Sequence, residues 1–578
     1  MSNRTLVQHT GFRVSWPSRL VCCLVLLLSA CARVSPGPIP EIESSDPQHV
    51  VVKILAINDF HGHLLTNREA GQRPMGGAAV LASYLRAAQP EDWRDRTFIV
   101  HAGDHVGASP PVSALLQDEP AIMFLNLLAN EFCTVENRLH PRCNLVGTPG
   151  NHEFDEGLGE LLRMVDGGNY RSGPFIENPY AGARFPYTAS NVVLAQTGQS
   201  LLPTYVVKAA KGIPIGFVGA VLSETSTLVS PTGVVGLQFL EEVQAINQAV
   251  HELKERGVRT IVVLIHQGGK QEPYEGLVRR DSQVQGPIVD IVSKLDEAVD
   301  LVISGHTHQF TNALVPTRSG KEILVTQAFS YGTAYAEIQL RLDAATQDVI
   351  ARNAKIVRTF ADSGPGLTPD PAVAKLVAQA EETVSPQVKR VITEVQTDLS
   401  RNENEAGESV LGDLIADAQR WAMDTDIAFM NRGGIHADLL HGKVTWGDLF
   451  EIHPFGNRLL AIELTGQQLY DVLNQQWLNQ RIPRMLQVSG LRYEWNGSRP
   501  VGDRVTAVWA NGLAVDRTQT YTVTVNSYLA QGGDRFTEFS KGKRLREGPL
   551  DIDALTTYLQ EAHPTTGKPE QNRILRRG

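Results

Sequence analysis

Between residues 50 and 357, short apolar runs alternate with longer stretches in which apolar residues recur at helical spacing. Short continuous apolar runs bounded by polar residues are typical of strands that are buried on both faces of a sheet. The strands predicted in this way are Val51–Ile57, Thr97–Val100, Ile215–Val218, Thr260–Ile265 and Leu301–Ile303. Helical spacing predicts helices at Ala78–Ala88 and Glu241–Arg256. This alternation indicates an α/β arrangement.

A boundary rich in proline and glycine follows at Ala361–Pro371, and a helix is predicted directly after it at Ala372–Val384. A second α/β unit is predicted from about residue 388 to residue 578. We therefore expect a first domain at 50–357, a linker with a connecting helix at 358–387, and a second domain at 388–578. A length of 578 residues accommodates two large domains.

The first thirty residues have the pattern of an export signal. Three arginines and no acidic residue precede the apolar run Leu20–Ala30, which is shorter than the roughly 20 residues that a membrane-spanning helix needs. The run ends in Leu-Ser-Ala-Cys31, which resembles a bacterial lipobox. This resemblance implies a signal peptide at 1–30, a lipidated Cys31, a linker at 31–49, and membrane anchoring through the lipid at the periplasmic or cell-surface side. Ordinary cleavage next to Cys31, which would release a soluble periplasmic protein, is the alternative.

Charge and cysteine content narrow the function classes. The net charge of −10 disfavours a partner that is a nucleic acid polymer, although bound metal ions can still attract a small anion. Of the five cysteines, Cys22 and Cys23 lie in the signal and Cys31 is the lipidation candidate. Cys133 and Cys143 remain, and in an oxidising compartment we expect them to form a disulfide. Two free thiols are the alternative.

Residues able to bind metals follow the ends of several predicted strands directly. These segments are Asn58-Asp59-Phe60-His61, His101-Ala102-Gly103-Asp104, Pro149-Gly150-Asn151-His152-Glu153-Phe154-Asp155, His266, and Ser304-Gly305-His306-Thr307-His308. Because ligands gather at the carboxyl ends of strands in α/β sheets, we predict that these segments converge on one crevice. A single histidine is more often a hydrogen-bonded structural residue, but five strand ends with this mixture indicate a metal site.

In this order the segments resemble the calcineurin-like metallophosphoesterases. The resemblance implies a four-layer αββα sandwich that holds two divalent ions, zinc, manganese or cobalt. The ligands it implies are Asp59, His61, Asp104 and His308 for one ion, and Asp104, Asn151, His266 and His306 for the other. Asp104 bridges the two ions, and some relatives have an amide where His308 stands. In that chemistry a hydroxide shared by the ions attacks phosphorus, and His152 and Asp155 form a catalytic pair that stabilises the transition state or protonates the leaving group.

Four segments beyond residue 388 resemble the C-terminal domain of the 5′-nucleotidase family. They are Gly407–Ala418, Asn431-Arg-Gly-Gly-Ile-His436, His453-Pro-Phe455-Gly-Asn457 and Asn526-Ser-Tyr528-Leu-Ala-Gln-Gly-Gly-Asp534. The resemblance implies an α/β substrate-binding domain whose nucleoside contacts are Phe455 and Tyr528 around the base, Asp534 at the ribose, Asn431 and Asn457 as polar contacts, and Arg401 facing the phosphate. The two resemblances together predict an exported enzyme that hydrolyses nucleoside 5′-phosphates to nucleoside and phosphate.

The family pattern has arginine where this chain has His436. Histidine lacks the permanently charged, bidentate group that suits phosphate, and Arg432 or Arg535 are the candidate replacements. If His436 contacts the phosphate as a cation, we expect activity to decline as the pH rises through about 6.5. By family analogy we also expect the two domains to close over the substrate, with a hinge in the Pro/Gly segment and the helix after it.

Three alternatives to this function are compatible with the sequence. A 2′,3′-cyclic nucleotide phosphodiesterase with 3′-nucleotidase activity and a nucleotide-sugar pyrophosphatase use the same two metals. A non-catalytic nucleotide-binding surface lipoprotein belongs to another class, and the complete ligand set together with His152 and Asp155 argues against it.

Overall fold

A computed structural model of the chain describes residue 42 and residues 48–280, 283–480, 482–562 and 569–578. The predicted signal segment at 1–30, Cys31 and most of the predicted linker at 31–49 lie outside the described residues. Within the described ranges, no helix combines the length and the apolar character that crossing a bilayer requires.

Strands and helices alternate along the first part of the chain. The strands are β1 (His49–Ile57), β2 (Arg68–Ala70), β3 (Arg73–Met75), β4 (Thr97–Ala102), β5 (Leu145–Thr148), β6 (Val192–Leu194), β7 (Tyr205–Ala210), β8 (Ile213–Val221), β9 (Leu237–Phe239), β10 (Thr260–His266), β11 (Val299–Ser304), β12 (Phe310–Pro316), β13 (Glu322–Ala328), β14 (Ala334–Asp343) and β15 (Val349–Arg358). The helices are α1 (Ala78–Ala87), α2 (Pro111–Ala114), α3 (Glu119–Leu128), α4 (Leu158–Asp166), α5 (Thr225–Leu228), α6 (Glu242–Glu255), α7 (Pro287–Val292) and α8 (Pro371–Val388).

Two large sheets form the centre of this part. One has five strands in the order β15-β14-β1-β4-β5, and the other has six in the order β12-β13-β11-β10-β8-β7. The strands β1, β4 and β5 run parallel, as do β8, β10, β11 and β13. Parallel pairing aligns the strand ends: Ile57 lies opposite His101, and Ile265 lies opposite Ser304. The segments that follow these strands therefore emerge together at one edge of each sheet.

The faces of the two sheets and the helices make four layers. Alternate residues of β1, β4, β10 and β11, such as Ile54, Val100, Leu264 and Ile303, are buried in one core between the sheets. The helices α1, α3 and α4 cover the outer face of the five-stranded sheet, and α6 and α7 cover the outer face of the six-stranded sheet. The expected αββα sandwich is confirmed, and the strands expected within it are present with slightly longer bounds.

The rest of the chain forms a second α/β unit. Its strands are β16 (Val391–Val395), β17 (Ile427–Asn431), β18 (Gly442–Thr445), β19 (Arg458–Thr465), β20 (Leu486–Ser489), β21 (Leu491–Trp495), β22 (Val505–Ala510), β23 (Leu513–Ala514), β24 (Thr520–Asn526), β25 (Lys543–Leu550) and β26 (Ile574–Arg576). Its helices are α9 (Val410–Met423), α10 (Trp446–Ile452), α11 (Gly466–Gln475), α12 (Ser527–Ala530) and α13 (Asp551–Thr557). A sheet in the order β20-β17-β24-β19-β25 lies at its centre, and a second sheet has the order β23-β22-β21-β26.

The helix after the Pro/Gly boundary packs against the first part of the chain. Asp370 caps the N-terminus of α8 by accepting hydrogen bonds from Ala372 N and Val373 N, at 3.0 Å each. Along its length, Val373, Leu376, Ala380 and Val384 are buried in the cluster that also contains residues of α1 and α3. These four buried apolar residues anchor α8 to the first part of the chain. A hinge motion within α8 would therefore have to break this packing.

Cys133 and Cys143 form a disulfide between α3 and β5. The loop that it closes is also held by the buried Lys208, whose Nζ donates to the carbonyl oxygens of Arg138 at 2.9 Å and His140 at 3.1 Å. Burial lowers the pKa of Lys208 to about 7. The strand that leads to Asn151 thus begins from a restrained loop.

Candidate active site

The strand ends of the first domain meet around Asp104. The Asp104 Oδ2 atom lies 2.9 Å from His266 Nε2 and 3.6 Å from His61 Nε2. On the far side, His308 Nε2 lies 3.4 Å from Asp59 Oδ1. Asp59, Asp104 and His266 are almost completely buried, whereas a third of the His308 side chain is exposed. Residues from four separate segments therefore surround one crevice.

Hydrogen bonds orient two of the imidazoles. His61 Nδ1 lies 2.8 Å from the Gly107 carbonyl oxygen, and His266 Nδ1 lies 2.8 Å from the Ala102 carbonyl oxygen. A carbonyl oxygen can only accept, so we assign the proton of each ring to Nδ1. Both Nε2 atoms then present lone pairs to the crevice, and this is the arrangement in which histidine binds a metal ion.

The donor set fits divalent metal ions. Three groups of His and Asp ligand atoms lie within 4.8 Å of one another: Asp59, His61 and His308; His61, Asp104 and His152; Asp104, His266 and His306. The Nε2 atoms of His61 and His308 face each other at 3.1 Å, a distance at which two lone pairs repel unless a cation or a proton lies between them. Among the described residues, the buried Asn151 Oδ1 has no hydrogen-bond partner, and buried polar atoms rarely lack one. Carboxylate, imidazole and amide donors suit zinc, manganese or cobalt.

Five residues of the cluster have a backbone conformation that residues other than glycine rarely adopt. The φ angles are 50° at Asp59, 47° at His61, 46° at Asp104, 72° at His306 and 55° at His308. Each such conformation costs roughly 1–3 kcal/mol and persists only where surrounding contacts enforce it. The loops after β1, β4 and β11 thus hold strained turns that direct these side chains inward, an arrangement typical of functional sites.

His152 lies beside the cluster and is paired with an aspartate. Its backbone N–H donates to Asp104 Oδ1 at 2.9 Å, and its Nδ1 lies 2.6 Å from Asp155 Oδ2. Burial alone would lower the pKa of His152, but the carboxylates of Asp155 and Asp104 raise it to about 10. A protonated imidazole held by a carboxylate can donate a proton or a hydrogen bond to an oxygen in the crevice.

Two polar residues next to the predicted ligands, Asn58 and Glu153, support the cluster. Both occur in the sequence motifs, but the motifs do not reveal their contacts. Asn58 Nδ2 donates to Asp59 Oδ2 at 2.6 Å, and Asn58 Oδ1 accepts from Ala328 N at 2.8 Å. Glu153 is 2% exposed and accepts hydrogen bonds from three backbone N–H groups, those of Asp104, His105 and Gly150. Burial and the Asp104 carboxylate raise the pKa of Glu153 to about 7. The only signal for either residue in the sequence is its position next to a predicted ligand.

A cavity of about 380 Å³ joins this cluster to the second domain. At one end it is lined by Asn151, His152 and His306, and at the other by Phe455 and Tyr528. Phe455 lies parallel to the His152 ring, with 6.0 Å between ring centroids and an interplanar angle of 9°. Tyr528 Oη lies 3.4 Å from the Leu228 carbonyl oxygen, and both residues line the cavity, so both parts of the chain enclose it.

Polar residues of the second domain form a network at the aromatic end. The residues expected there from the sequence, Asn431, Asn457 and Asp534, all line the same cavity. Asp534 accepts from Tyr528 Oη at 3.0 Å and from Asn431 Nδ2 at 3.3 Å. Arg484 forms an ion pair with Asp534. No motif singled out Arg484, because its partner lies far away in the sequence.

The structure does not support a titrating His436. This residue lines the cavity, and its ring contacts Phe455 edge-on with 4.9 Å between centroids. Burial, together with the positive charges of His152 and Arg401, lowers the pKa of His436 to about 3. An imidazole with this pKa is neutral near pH 7, which argues against a cationic contact to the phosphate and against a decline of activity near pH 6.5.

The arginines considered for the phosphate have other partners. Arg432 pairs with Glu403 at 3.3 Å, and Arg535 pairs with Glu224 at 3.6 Å. Arg401 donates to the Ile435 carbonyl oxygen at 3.0 Å. It lines an adjacent cavity of about 420 Å³, which shares Asn431, His436 and Asp534 with the first. Arg432 lines the same adjacent cavity, so Arg401 and Arg432 both border residues that line the main cavity.

Comparisons with protein families match the two parts of the chain separately. Residues 52–310 match the calcineurin-like phosphoesterase family, and residues 386–541 match the family described as 5′-nucleotidase, C-terminal domain. The first match covers β1 to the start of β12, and the second covers most of the second α/β unit.

Individual proteins are similar over nearly the whole chain. Endonuclease YhcR of Bacillus subtilis is 32% identical over 99% of this chain, which spans 44% of that protein. Cell wall protein Lmo0130 of Listeria monocytogenes is 34% identical over 89% of this chain, which spans 67% of that protein. The crystal structure of a 5′-nucleotidase precursor from Thermus thermophilus is 27% identical, with a TM-score of 0.71 over 91% of this chain and 99% of that one.

Proposed function

The chain belongs to the 5′-nucleotidase family of calcineurin-like phosphoesterases, and from this premise we propose that it hydrolyses nucleoside 5′-phosphates to nucleoside and phosphate. The family consists of phosphoester hydrolases, so the class of reaction follows from membership. The substrate and the roles of single residues are the proposal. One observation carries it: the same cavity has the His and Asp cluster at one end and two aromatic rings with a carboxylate at the other.

The proposed metal ligands are the seven residues around Asp104. They are Asp59, His61, Asp104, Asn151, His266, His306 and His308. Two divalent ions bound there would polarise the phosphoryl group and supply an activated water. The chain's own contribution is to hold Asp104 between the two ligand groups, to place His152 beside them, and to keep the surroundings of the carboxylates dry.

The nucleoside is proposed to lie between Phe455 and Tyr528, with its ribose at Asp534. Stacking between a base and an aromatic ring contributes roughly 1–3 kcal/mol per base and tolerates different bases. The hydrogen bonds from Asn431 and Tyr528 hold the Asp534 carboxylate in place, so that it can accept from ribose hydroxyls without moving.

Phosphate release tests the proposal on a substrate panel, together with chromatography of the products, because cleavage of a cyclic nucleotide, UDP-glucose or an oligonucleotide first gives phosphate esters rather than free phosphate. Protein stripped of metal and supplied with Zn²⁺, Mn²⁺ or Co²⁺ in turn should release phosphate from AMP faster than from 3′-AMP, and the same panel includes 2′,3′-cyclic AMP, UDP-glucose and a short oligonucleotide. A preference for the cyclic nucleotide would indicate a 2′,3′-cyclic nucleotide phosphodiesterase instead. A preference for UDP-glucose would indicate a nucleotide-sugar pyrophosphatase. Cleavage of the oligonucleotide alone would favour a nuclease, the activity named for the Bacillus relative. No release with any metal would contradict the proposal.

Loss of one stacking ring should weaken substrate binding more than catalysis. For Phe455→Ala we expect a rise in KM for AMP of about 5–100-fold, the equivalent of the stacking energy of one base. Tyr528→Ala should behave similarly, whereas Tyr528→Phe keeps the ring and should stay within a few-fold of wild type. Steady-state kinetics on AMP and on ribose 5-phosphate, which has no base, separate stacking from general damage. Equal losses on both substrates would show that the rings do not hold a base.

We also propose that the chain acts outside the cytoplasm, anchored through Cys31. The disulfide between Cys133 and Cys143 is consistent with an oxidising compartment, and the Listeria relative is named a cell wall protein. Membrane fractionation of cells that express wild type or Cys31→Ala tests the anchor. Wild-type protein found only in the soluble fraction would contradict it.

A further inference from the structure

Glu153 joins two loops that carry proposed metal ligands. Its Oε2 accepts from Asp104 N at 3.0 Å and from Gly150 N at 2.5 Å, and its Oε1 accepts from His105 N at 2.8 Å. The N–H groups of Asp104 and His105 belong to the loop after β4, and that of Gly150 belongs to the loop after β5. One carboxylate thus binds the backbone of both loops at once.

These loops touch directly where the ligands begin. A Cβ atom on Gly150 would lie 2.2 Å from Asp104 Oδ1, so no larger residue fits there without displacing the carboxylate. The same Asp104 Oδ1 accepts from His152 N at 2.9 Å. Asn151, the proposed ligand in the second loop, lies between Gly150 and His152. The distance between Asp104 and Asn151 is therefore set by the contact between the loops that Glu153 holds.

The three donors leave little choice of side chain at position 153. Each buried backbone N–H requires an acceptor, and Glu153 is 2% exposed, so water does not readily replace it. Only a carboxylate offers acceptor sites on both oxygens. Glutamine has nearly the same shape, but its amide would direct N–H groups at one or two backbone N–H donors.

We propose that Glu153 is a positioning residue that holds the Asp104 loop and the Gly150–Asn151 loop at the separation that two divalent ions require. The inference rests on the proposed metal site. Glu153 acts through the backbone of Asp104, which it keeps in the left-handed conformation with φ 46°. Its effect should therefore appear in metal affinity as well as in turnover.

The test compares Glu153→Gln with wild type in metal binding and in amide exchange. Isothermal titration of stripped protein with Mn²⁺ should show an affinity about 10–100-fold weaker in the variant, the usual effect of losing a group that orients a metal ligand. Phosphate release from AMP should fall at limiting Mn²⁺ and recover in part at high Mn²⁺. In metal-free protein, hydrogen exchange of the peptide that contains Asp104 and His105 should be faster than in wild type.

Two further variants separate positioning from simple destabilisation. Glu153→Asp keeps both acceptor oxygens on a shorter side chain and should have an intermediate affinity for Mn²⁺. Glu408 is a buried glutamate of the second domain whose carboxylate accepts from the backbone N–H groups of Asn572 at 3.1 Å and Arg573 at 2.8 Å, so Glu408→Gln is the matched control. Glu408→Gln should keep Mn²⁺ affinity within about 3-fold of wild type, even where its melting temperature falls.

Wild-type affinity for Mn²⁺ and unchanged exchange at Asp104 in Glu153→Gln would overturn the inference. If that variant does not fold, wild-type affinity in Glu153→Asp overturns it instead. Wild-type protein that binds two Mn²⁺ ions but releases phosphate from no nucleotide would contradict the proposed function alone, because the comparison of affinities would still stand. Wild-type protein that binds no Mn²⁺ would overturn both.

Discussion

Replacing Asp104 with asparagine should lower kcat for AMP hydrolysis by about 10³-fold or more, a loss comparable with removal of a central electrostatic group in other enzymes. Asp104 is the residue that both proposed ligand groups share, with His61 Nε2 on one side and His266 Nε2 on the other. An asparagine amide would direct a donor at one of these nitrogens and would remove the negative charge that bridges the two sites. Titration with Mn²⁺ should then show fewer than two bound ions per chain.

The Asp104→Asn variant should remain folded, so that loss of activity reports on chemistry. Asparagine has nearly the shape of aspartate and tolerates the left-handed conformation found at this position, with φ 46°. Its side-chain oxygen can still accept from His152 N. Burial raises the pKa of Asp104, but His266, His152 and His61 together hold it well below its usual range, and the cost in stability is the loss of these interactions. Circular dichroism and the melting temperature of the metal-free protein check the fold.

Asp300 offers a matched control for this substitution. It is 5% exposed, lies near the start of β11, and accepts from Ile261 N at 3.2 Å. The proposed ligands lie beyond the other end of that strand. Asp300→Asn therefore removes a buried carboxylate from the six-stranded sheet without touching the cluster, and its activity should stay within a few-fold of wild type. Near-normal turnover in Asp104→Asn would contradict the proposed bridging role.

Local sequence patterns were sufficient for the α/β alternation and for the convergence of the strand ends, whereas the four-layer sandwich was predicted from the resemblance to the metallophosphoesterases. Buried parallel strands such as Thr260–His266 are continuous apolar runs, and the polarity changes abruptly where each strand leaves the sheet. Parallel pairing then brings these ends together without any knowledge of side-chain contacts. The prediction of one crevice needed only the strand order and the residues that follow each strand.

Contacts that depend on tertiary burial were beyond these patterns. His436 was expected to titrate near its ordinary pKa, but burial beside Phe455 changes that pKa in a way that no neighbouring residue in the sequence indicates. The three hydrogen bonds of Glu153 form only where two loops meet. In one of them, the residues Glu153 and Asp104 are 49 positions apart in the sequence. Arg484 meets Asp534 only because two segments of the second domain fold together.

Removing the imidazole of His152 should lower kcat for AMP by about 10²–10⁴-fold, the usual contribution of a positioned acid or base. His152 is not among the seven proposed ligands, so His152→Ala should bind Mn²⁺ with nearly wild-type affinity. This result would separate it from Asp104→Asn. A large loss of Mn²⁺ affinity in His152→Ala would instead make this residue a ligand, in keeping with its place in the group formed with His61 and Asp104.

The partner of His152 provides the more discriminating experiment. Asp155 Oδ2 lies 2.6 Å from His152 Nδ1, so Asp155 should act by holding the imidazole and keeping its pKa high. Asp155→Asn alone should then lower kcat, yet it should add almost nothing in a protein that already carries His152→Ala, because two residues that act as one unit are not additive. If His152 donates its proton to the departing oxygen, the loss should nearly vanish on p-nitrophenyl phosphate, whose leaving group needs no proton. An equal loss on both substrates would assign His152 to stabilisation of the phosphoryl oxygens, and additive losses in the double variant would give Asp155 a separate role.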